Sequence, residues 1–450
     1  MELVSSFATM LQPLAATMTS PSFANWCVIV TGWVFAPRRT ITGMLSAAGA
    51  VRLKHHGSFH RLFATARWSL DELGLAVFRL WEPCLQQAPI FLALDDTLAH
   101  KRSRRIYGVS MHIDPAISTR RQPTARLGHS WVVLGVIARC RLWPERVFCL
   151  PLLFRLYLPR TKAGQHRRVY RTRPQLGLEL LRLLCQARKQ RRFHVLADSA
   201  YGGQSVLKHL PDNCDLTSRM PMQARLYEAP PVKQPGTRGR RRKRGDRLPT
   251  PEEMLARRSR RTALDAYGRR DKIRYSEVIA RWHSVPERPL RVIAVDPLSG
   301  GRKPQAFYST RTESNGLNAL REYAMRWSLE VTFHDSKGSL GFEEPQGWTR
   351  RAVERTAPTA LILYSLIVLW FVREGHRRYE ALDRPWYTSK RHPSFADMLA
   401  TLRRASAQER IIAAGLAGPG SRKITRDLET LLALERVAVY PSAICGLSVG

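Results

Sequence analysis

Over the first 85 residues, apolar residues recur at the spacing of amphipathic helices, and this spacing changes further along the chain. Helix-compatible patterns occupy segments 23–35, 39–50, 57–67 and 70–82. Proline follows the first and last of these segments, where it would end a helix. Residues 1–85 therefore predict a helical N-terminal region. Basic residues recur in it, so it is either a small DNA-binding domain or a helical cap on the main domain.

Short apolar runs that end in acidic residues appear from residue 86 onward. PIFLALDDT (89–97) and FHVLAD (193–198) are typical of buried strands that deliver a carboxylate at the C-terminal end. Two further strand-like runs lie between them, and residues 173–188 have the pattern of an amphipathic helix. Strands mixed with helices predict an α/β or α+β core, whose first part spans residues 86–203.

Residues 204–318 have the pattern of a β-rich insertion. Three strand-like runs, at 272–282, 290–296 and 305–310, alternate with turn residues. The stretch from Arg238 to Arg247 holds seven Lys or Arg against one Asp. It is either a solvated loop or a contact for the DNA backbone. Asp296 also ends an apolar run, so a strand-end aspartate does not by itself mark a site.

The stretch YAMRWSLEVTFHDSK (323–337) contains no Gly or Pro, and we predict one continuous helix. At about 100° per residue, four polar side chains fall on a strip roughly 60° wide; they are Tyr323, Arg326, Glu330 and Lys337. A neighbouring apolar stripe is formed by Leu320, Ala324, Trp327 and Val331. The helix opens a second part of the core, residues 319–375, in which the apolar run 357–372 predicts a buried helix. Residues 376–450 predict a basic helical C-terminal region.

The charge of the chain indicates a polyanionic partner. Lys and Arg number 73 against 36 Asp and Glu, a net charge of +37 with a pI near 11.0. Basic residues spread along the whole chain favour nucleic acid over a membrane surface, since no long basic amphipathic helix is present. The seven cysteines include no CxxC pair, which argues against a zinc site and favours reduced thiols. We expect a cytoplasmic protein without a membrane span.

Two strand-end aspartates and a helical glutamate among basic surfaces suggest metal-dependent phosphoryl transfer. Two Mg²⁺ ions about 3.5–4 Å apart can activate the attacking oxygen and stabilise the leaving one. Such ions need a few oxygen ligands and share the rest of their coordination with water and phosphate. Carboxylates delivered by three different elements meet this need.

These residues resemble a known family. The pattern Y-x2-R-x3-E-x6-K, matched by Tyr323, Arg326, Glu330 and Lys337, is the signature of a group of bacterial insertion-sequence DDE transposases. Other blocks resemble its DDE-superfamily endonuclease branch; they are LDDT (94–97), GHSWVVLG (128–135), LADSAYGG (196–203), GRRRKRG (239–245), EVTFHDSKGSLGFEEPQGW (330–348) and RAVERTAP (351–358). The resemblance covers roughly residues 30–405. It implies an RNase H-like core interrupted by a β-rich insertion between the second aspartate and the glutamate.

The resemblance also implies roles for single residues. Asp96, Asp198 and Glu330 would be catalytic and would bind divalent metal, Mg²⁺ or Mn²⁺, as a pair of ions. Asp95 is the alternative to Asp96, which is preferred because the family's D-T dipeptide matches Asp96-Thr97. Arg326 and Lys337 would contact phosphates, and Tyr323 the DNA backbone or the terminal nucleotide.

Four aromatic residues in the resembled blocks or the predicted helix have no single assigned role. Trp327 either stacks on an unpaired base or packs in the core, which its apolar neighbours favour. His129 and Trp131 recur in the resembled block without an assigned chemistry, and His334 is a further candidate for DNA contact.

The function implied is that of a DNA transposase that binds the terminal inverted repeats of its own element. It would cleave strands at the element ends and transfer them into target DNA. Because two ends must be held together, we expect a homodimer on double-stranded DNA. One alternative is a DNA-binding descendant whose catalytic step is lost or repurposed. Another is a basic RNA-binding protein, which the absence of a recognisable RNA-binding pattern disfavours.

Overall fold

The computed structural model describes residues 2–85, 88–114, 117–119, 121–231, 242, 244–266, 269–298, 302–380 and 392–413. Half of the basic tract 238–247, the predicted loop or DNA contact, lies outside these residues. The predicted C-terminal helical region is described only up to residue 413. Its one long described helix begins at Phe395.

Thirteen α-helices lie within the described residues. They are α1 Ser5–Leu11, α2 Ser20–Phe35, α3 Ile41–Ala47, α4 Gly57–Ala64, α5 Leu70–Trp81, α6 Arg160–Gln165, α7 Arg173–Ala187, α8 Gln204–Leu207, α9 Pro251–Arg257, α10 Gly316–Ala324, α11 Trp327–Leu340, α12 Arg350–Arg373 and α13 Phe395–Ala413. The first five match the helical pattern predicted for residues 1–85.

The twelve described strands form one sheet. They are β1 Ile90–His100, β2 Ser110–Ile113, β3 Ala125–Cys140, β4 Trp143–Tyr157, β5 Phe193–Ala197, β6 Cys214–Met220, β7 Leu226–Tyr227, β8 Arg247–Leu248, β9 Arg260–Ala266, β10 Arg269–Trp282, β11 Val285–Pro297 and β12 Gln305–Ser309.

Five strands at one side of this sheet have the predicted core topology. Their spatial order is β4-β3-β1-β5-β6, with β3 antiparallel to its neighbours and β1, β5 and β6 mutually parallel. This is the order of an RNase H-like core. The central strand β5 is buried at every position, as expected for a parallel strand covered on both faces. The predicted mixed α/β fold class is confirmed.

The strands after β6 continue the same sheet. β12 pairs with β6 in antiparallel fashion, and β11 and β10 follow as a long hairpin. The residues predicted as an insertion thus add strands beside the core strands. The predicted range 204–318 also contains β6, which pairs with β5. The domain boundaries themselves stay predictions.

The apolar run 357–372 lies in α12, which is buried along almost its whole length. It is the one described helix long and apolar enough to cross a membrane, and 89% of its apolar stretch is buried inside the protein. Helices of the N-terminal region pack into the same hydrophobic core as α12 and the sheet. α12 is therefore the core helix that the sequence predicted.

Candidate active site

Strand β1 carries two adjacent aspartates that point to opposite faces of the sheet. It does not end at Asp96, as the sequence predicted, because β3 pairs beside it as far as His100. Alternation along an extended strand therefore separates Asp95 from Asp96. Asp95 contacts the α11 side through Arg326, whereas Asp96 faces α7 through Arg173.

Asp95 lies beside the second aspartate in the sheet register. β1 and β5 run parallel with Leu94 opposite Ala197, so the next residues, Asp95 and Asp198, come side by side. The Asp198 carboxylate accepts the backbone N–H of Ala200 at 2.9 Å, which fixes it in a turn directly after β5. Two of the predicted acidic positions are therefore neighbours across parallel strands.

Arg326 joins Asp95 to the third predicted acid. Its Nη1 donates to Asp95 Oδ2, and its Nη2 donates to Glu330 Oε1 at 2.6 Å. Burial alone would lower the pKa of Arg326, but the charges of Asp95, Tyr323 and Glu330 outweigh this and raise it. The guanidinium is thus a cation held between two carboxylates from different elements.

The pKa of Asp95 is raised to about 7. Burial is the largest cause and the nearby charge of Asp198 adds to it, while the opposing charge of Arg326 lowers the pKa. The charge of Asp198 also raises the pKa of Asp96, for which burial is again the largest cause. Three carboxylates are therefore close enough to repel one another in a partly dehydrated region. Such a region favours the binding of cations.

Asp96 has its own set of partners on the α7 side. Tyr201 donates its hydroxyl to Oδ1 at 2.9 Å, and Ser130 donates to Oδ2 at 3.4 Å. Arg173, the first residue of α7, places Nε 3.2 Å from Oδ2. The capping box of Thr172 and Gln175 begins α7 at this point. These contacts hold Asp96 in place away from Glu330.

The predicted single helix 323–337 is wrong, because the chain forms two helices with a break between Ala324 and Trp327. Around the break, backbone bonds of the i→i−3 type join Arg326 to Tyr323 and Leu329 to Arg326. Each helix belongs to a different hydrophobic cluster. α10 packs against strands of the insertion, and α11 packs against the main core. The break therefore lies where the chain passes from one hydrophobic cluster to the other.

Tyr323 lies in α10, whereas Glu330 and Lys337 lie in α11, and the Arg326 guanidinium between the two helices stays 5.8 Å from the centre of the Tyr323 ring. Tyr323 is only 2% exposed and packs edge-on against Phe307, with 4.9 Å between ring centroids. A DNA contact by its side chain requires the ring to leave this packing, and the predicted role stays a prediction. Lys337 donates Nζ to the carbonyl oxygen of Leu98 at 2.7 Å and lies 3.5 Å from Glu343.

The predicted apolar stripe of Leu320, Ala324, Trp327 and Val331 is also wrong. Leu320 is buried in α10, but Trp327 is 50% exposed and Val331 is exposed on α11. The start of α11 therefore exposes these two side chains. Half of the Trp327 side chain is therefore accessible, and its stacking on a base stays a prediction.

The histidines of the resembled blocks lie in different environments. His129 is buried, its Nε2 is 2.8 Å from the carbonyl oxygen of Tyr107, and burial lowers its pKa to about 3. It is a neutral structural residue beside Trp131, which is fully buried. His334 is exposed on α11.

The donor chemistry of the site fits a hard divalent cation. Asp95, Asp96, Asp198 and Glu330 supply only oxygen, the ligand type that Mg²⁺ and Mn²⁺ prefer. Among the described residues, no group of three or more His, Cys, Asp or Glu side chains converges closely enough to hold a metal ion. Arg326 lies between Asp95 and Glu330 and neutralises both carboxylates that would help to hold such a cation.

Three residues of the site were not predicted from the sequence: Ser130, Arg173 and Tyr201. Ser130 and Tyr201 lie inside the blocks GHSWVVLG and LADSAYGG, so position in a resembled block was an available signal. Nothing in the sequence distinguishes Arg173 from the other basic residues. Its contact with Asp96 depends on the packing of α7 against β1 and β3.

Comparisons with known proteins give one family match. A family model described as DDE superfamily endonuclease matches residues 23–278, more than half of the 450-residue chain. The match includes Asp95, Asp96 and Asp198 and ends before Glu330. No curated protein matches.

Among solved structures, the chain is similar to piggyBac transposase in the cryo-EM structure of its synaptic complex with hairpin DNA. The TM-score is 0.37 at 13% sequence identity, over 99% of this chain and 83% of that one.

Proposed function

Because this chain belongs to the DDE superfamily endonucleases, we propose that it is a DNA transposase of an insertion sequence. It binds the terminal inverted repeats of the element, cleaves strands there and joins them to target DNA. The observation that carries the proposal is the meeting of acids from three elements, with Asp95 beside Asp198 and Arg326 linking Asp95 to Glu330.

We assign the metal-binding role to Asp95, Asp198 and Glu330 in place of the set with Asp96. The register sets Asp95 next to Asp198, and Arg326 ties it to Glu330, whereas Asp96 points to the other face. These carboxylates would hold Mg²⁺ or Mn²⁺, which would activate the attacking oxygen and stabilise charge on the leaving one. Asp96 then acts as a positioning residue, fixed by Tyr201 and Arg173.

The basic residues of the site complete the proposed chemistry. When a divalent ion holds the acids, the guanidinium of Arg326 is free to contact a phosphate beside the scissile bond. Lys337 provides a second cation on the same face of α11 as Glu330, two turns further along the helix. The half-exposed side chain of Trp327 offers a stacking surface for an unpaired base. Two element ends have to be processed together, so at least two copies act on double-stranded DNA, in the bacterial nucleoid.

The test of this function uses the full-length protein and DNA that carries the ends of the element. We expect strand cleavage at the ends with Mg²⁺ or Mn²⁺, none after chelation of divalent ions, and none on DNA with scrambled ends. Tight binding to the ends without cleavage under any metal condition would instead support a repurposed DNA-binding descendant. Preference for RNA and indifference to ends would remove both functions.

A further inference from the structure

A second basic surface begins on the opposite face of β1 from Glu330. The segment between β4 and α7, residues 158–173, contains six Lys or Arg and no acid. We call it the basic arm. Its exposed cations are Arg160, Arg167, Arg168 and Arg171. A charge run of this kind is often just a solvated surface, so its position and its backbone geometry decide what it does.

The C-terminal end of the basic arm reaches the carboxylate site. Arg173, its last residue, contacts Asp96 and lies 4.3 Å above the ring of Tyr157. Earlier in the arm, Arg160 lies over the ring of Tyr170 at 5.7 Å. Aromatic rings thus support two of the cations. The arm therefore ends beside Asp96, the neighbour of Asp95 in β1.

A neighbouring basic segment is attached to the arm by an aromatic contact. The rings of Tyr107 and His166 lie 4.3 Å apart. Just before Tyr107, the chain exposes Arg102, Arg104 and Arg105, and residues 101–108 contain no acid. The two segments together form a positively charged surface with several exposed guanidinium groups.

The described part of the chain offers few counter-charges to this surface. Arg171 pairs with Glu179, but none of the ion pairs among the described residues involves Arg102, Arg104, Arg105, Arg167 or Arg168. Unpaired exposed guanidinium groups near a phosphoryl-transfer site are available for phosphate oxygens.

Arg167 has a left-handed backbone conformation, which glycine adopts more readily than arginine. It is the one described non-glycine residue with a positive φ, at 51°. The amide of Arg167 donates to the Gly164 carbonyl and that of Arg168 to the Ala163 carbonyl, the pattern of a helix C-terminus that usually has glycine here. A left-handed arginine costs about 1 kcal/mol. Strain retained at a surface position is a signal of function.

We infer that the basic arm holds the phosphate backbone of duplex DNA next to the carboxylate site, without reading its sequence. The inference rests on the proposed function for its choice of DNA as the polyanion. The arm's arginines contact phosphates of the segment adjacent to the strand that is cut. Backbone contacts of this kind position DNA and do not specify sequence.

The experiment measures binding of the full chain to a short duplex of arbitrary sequence, without divalent metal, at several salt concentrations. Arg167→Gly removes the charge and keeps the turn, and Arg168→Ala removes a neighbouring charge. Lys189→Ala is the matched control, because Lys189 is exposed beyond the other end of α7, roughly 20 Å from Arg173 by helix rise.

We expect the double variant Arg167→Gly/Arg168→Ala to bind about tenfold more weakly than the wild type. The slope of log K against log salt should fall by roughly 1 for each phosphate that the variant no longer neutralises. The melting temperature of Arg167→Gly should be unchanged or higher, since strain is relieved. Lys189→Ala should bind like the wild type.

If the double variant binds DNA with the affinity and salt slope of Lys189→Ala, the inference is overturned. This holds both when neither variant loses affinity and when both lose it equally. Loss of binding to vesicles of phosphatidylserine and phosphatidylcholine, with DNA binding intact, would also overturn it. The binding assay contains no metal and does not require cleavage. A wild type that binds DNA but does not cut it in the cleavage assay would therefore refute the proposed catalysis, and the binding comparison for the basic arm would still stand.

Discussion

Arg326 connects the electrostatics of the two best-placed acids, Asp95 and Glu330. It is 9% exposed, and its guanidinium donates to one carboxylate on each side. An arginine in this position serves as a built-in counter-ion, because two acids at this separation would otherwise repel each other in a dehydrated environment. A bound divalent cation would also neutralise these two carboxylates, and the arginine would then no longer be needed as their counter-ion.

Replacement of Arg326 by glutamine should therefore make stability dependent on divalent metal. Without the guanidinium, Asp95 and Glu330 lose their partner, at a cost of about 2–3 kcal/mol, below the usual range for a buried pair because Glu330 is partly exposed. Mg²⁺ at about one hundred times its Kd returns ~2.7 kcal/mol. Thermal unfolding with and without Mg²⁺ measures both effects.

Arg155 provides the matched control for this prediction. Its guanidinium bridges Asp71 and Glu179 in the same way, with donor–acceptor distances of 2.7–2.9 Å, but outside the carboxylate site. Arg155→Gln should lower the melting temperature without any recovery in Mg²⁺. If Mg²⁺ rescues both variants equally, or neither, Arg326 is not a stand-in for a metal ion.

The sequence predicted some residues of this site better than others. Asp198 and Glu330 were found because each follows or lies on a well-defined element. The choice between Asp95 and Asp96 depends on which face of β1 meets α11, and that is a tertiary property. Trp327 was assigned to an apolar stripe because the periodicity assumed one helix, and the break removed that assumption.

At the scale of elements, the division between α10 and α11 determines where Glu330 points. A sequence without Gly or Pro gives no local signal for a break. The cause lies in the two packing surfaces, since Tyr323 belongs to the cluster of the insertion strands and Leu329 to the main core. Only the tertiary structure contains this information.

The other end of α11 is fixed by the N-terminal helices. Trp33 donates Nε1 to the carbonyl of Leu340 at 2.8 Å, and Arg39 donates Nη2 to the carbonyl of Ser339 at 2.7 Å. Arg39 also pairs with Glu344 just beyond the helix. These bonds satisfy carbonyls that a helix end leaves free, so the helical N-terminal region helps to position the helix of Glu330.

Gly341 ends α11 in the left-handed conformation, with φ of 59°. A Cβ at this position would lie 2.5 Å from Oε1 of Glu344, the partner of Arg39. Gly341→Ala should therefore cost about 1–2 kcal/mol for the left-handed alanine and should loosen the contact of Arg39 with Glu344. Denaturant unfolding measures the change.

Gly164→Ala is the control, since it lies inside α6 with no atom within 4 Å of its added Cβ. It should be neutral or stabilise by up to about 1 kcal/mol. A Gly341→Ala variant as stable as Gly164→Ala would show that the end of α11 does not depend on this turn.

At the scale of the whole molecule, alternation of apolar runs and helices was sufficient to predict a mixed α/β core. Four of the five core strands and the buried helix α12 appear where the patterns placed them, whereas β6 lies in the range predicted as an insertion and was not predicted as a strand. The continuity of the sheet from β6 into β12 could not be predicted, because strand pairing between segments 80–90 residues apart leaves no local pattern. The acids of the site come together only through this topology.

The proposed mechanism depends on Asp95, Asp198 and Glu330 as the catalytic metal site. Single-turnover cleavage of end-containing DNA in Mg²⁺ tests this assignment with Asp95→Asn, Asp198→Asn, Glu330→Gln and Asp96→Asn, with DNA affinity measured beside it. We predict that the first three lose more than about a hundredfold in rate and keep their DNA affinity. Asp96→Asn should retain at least about tenfold more activity than Asp95→Asn, as a supporting residue would. Cleavage at the wild-type rate by any of the first three variants would refute the assignment.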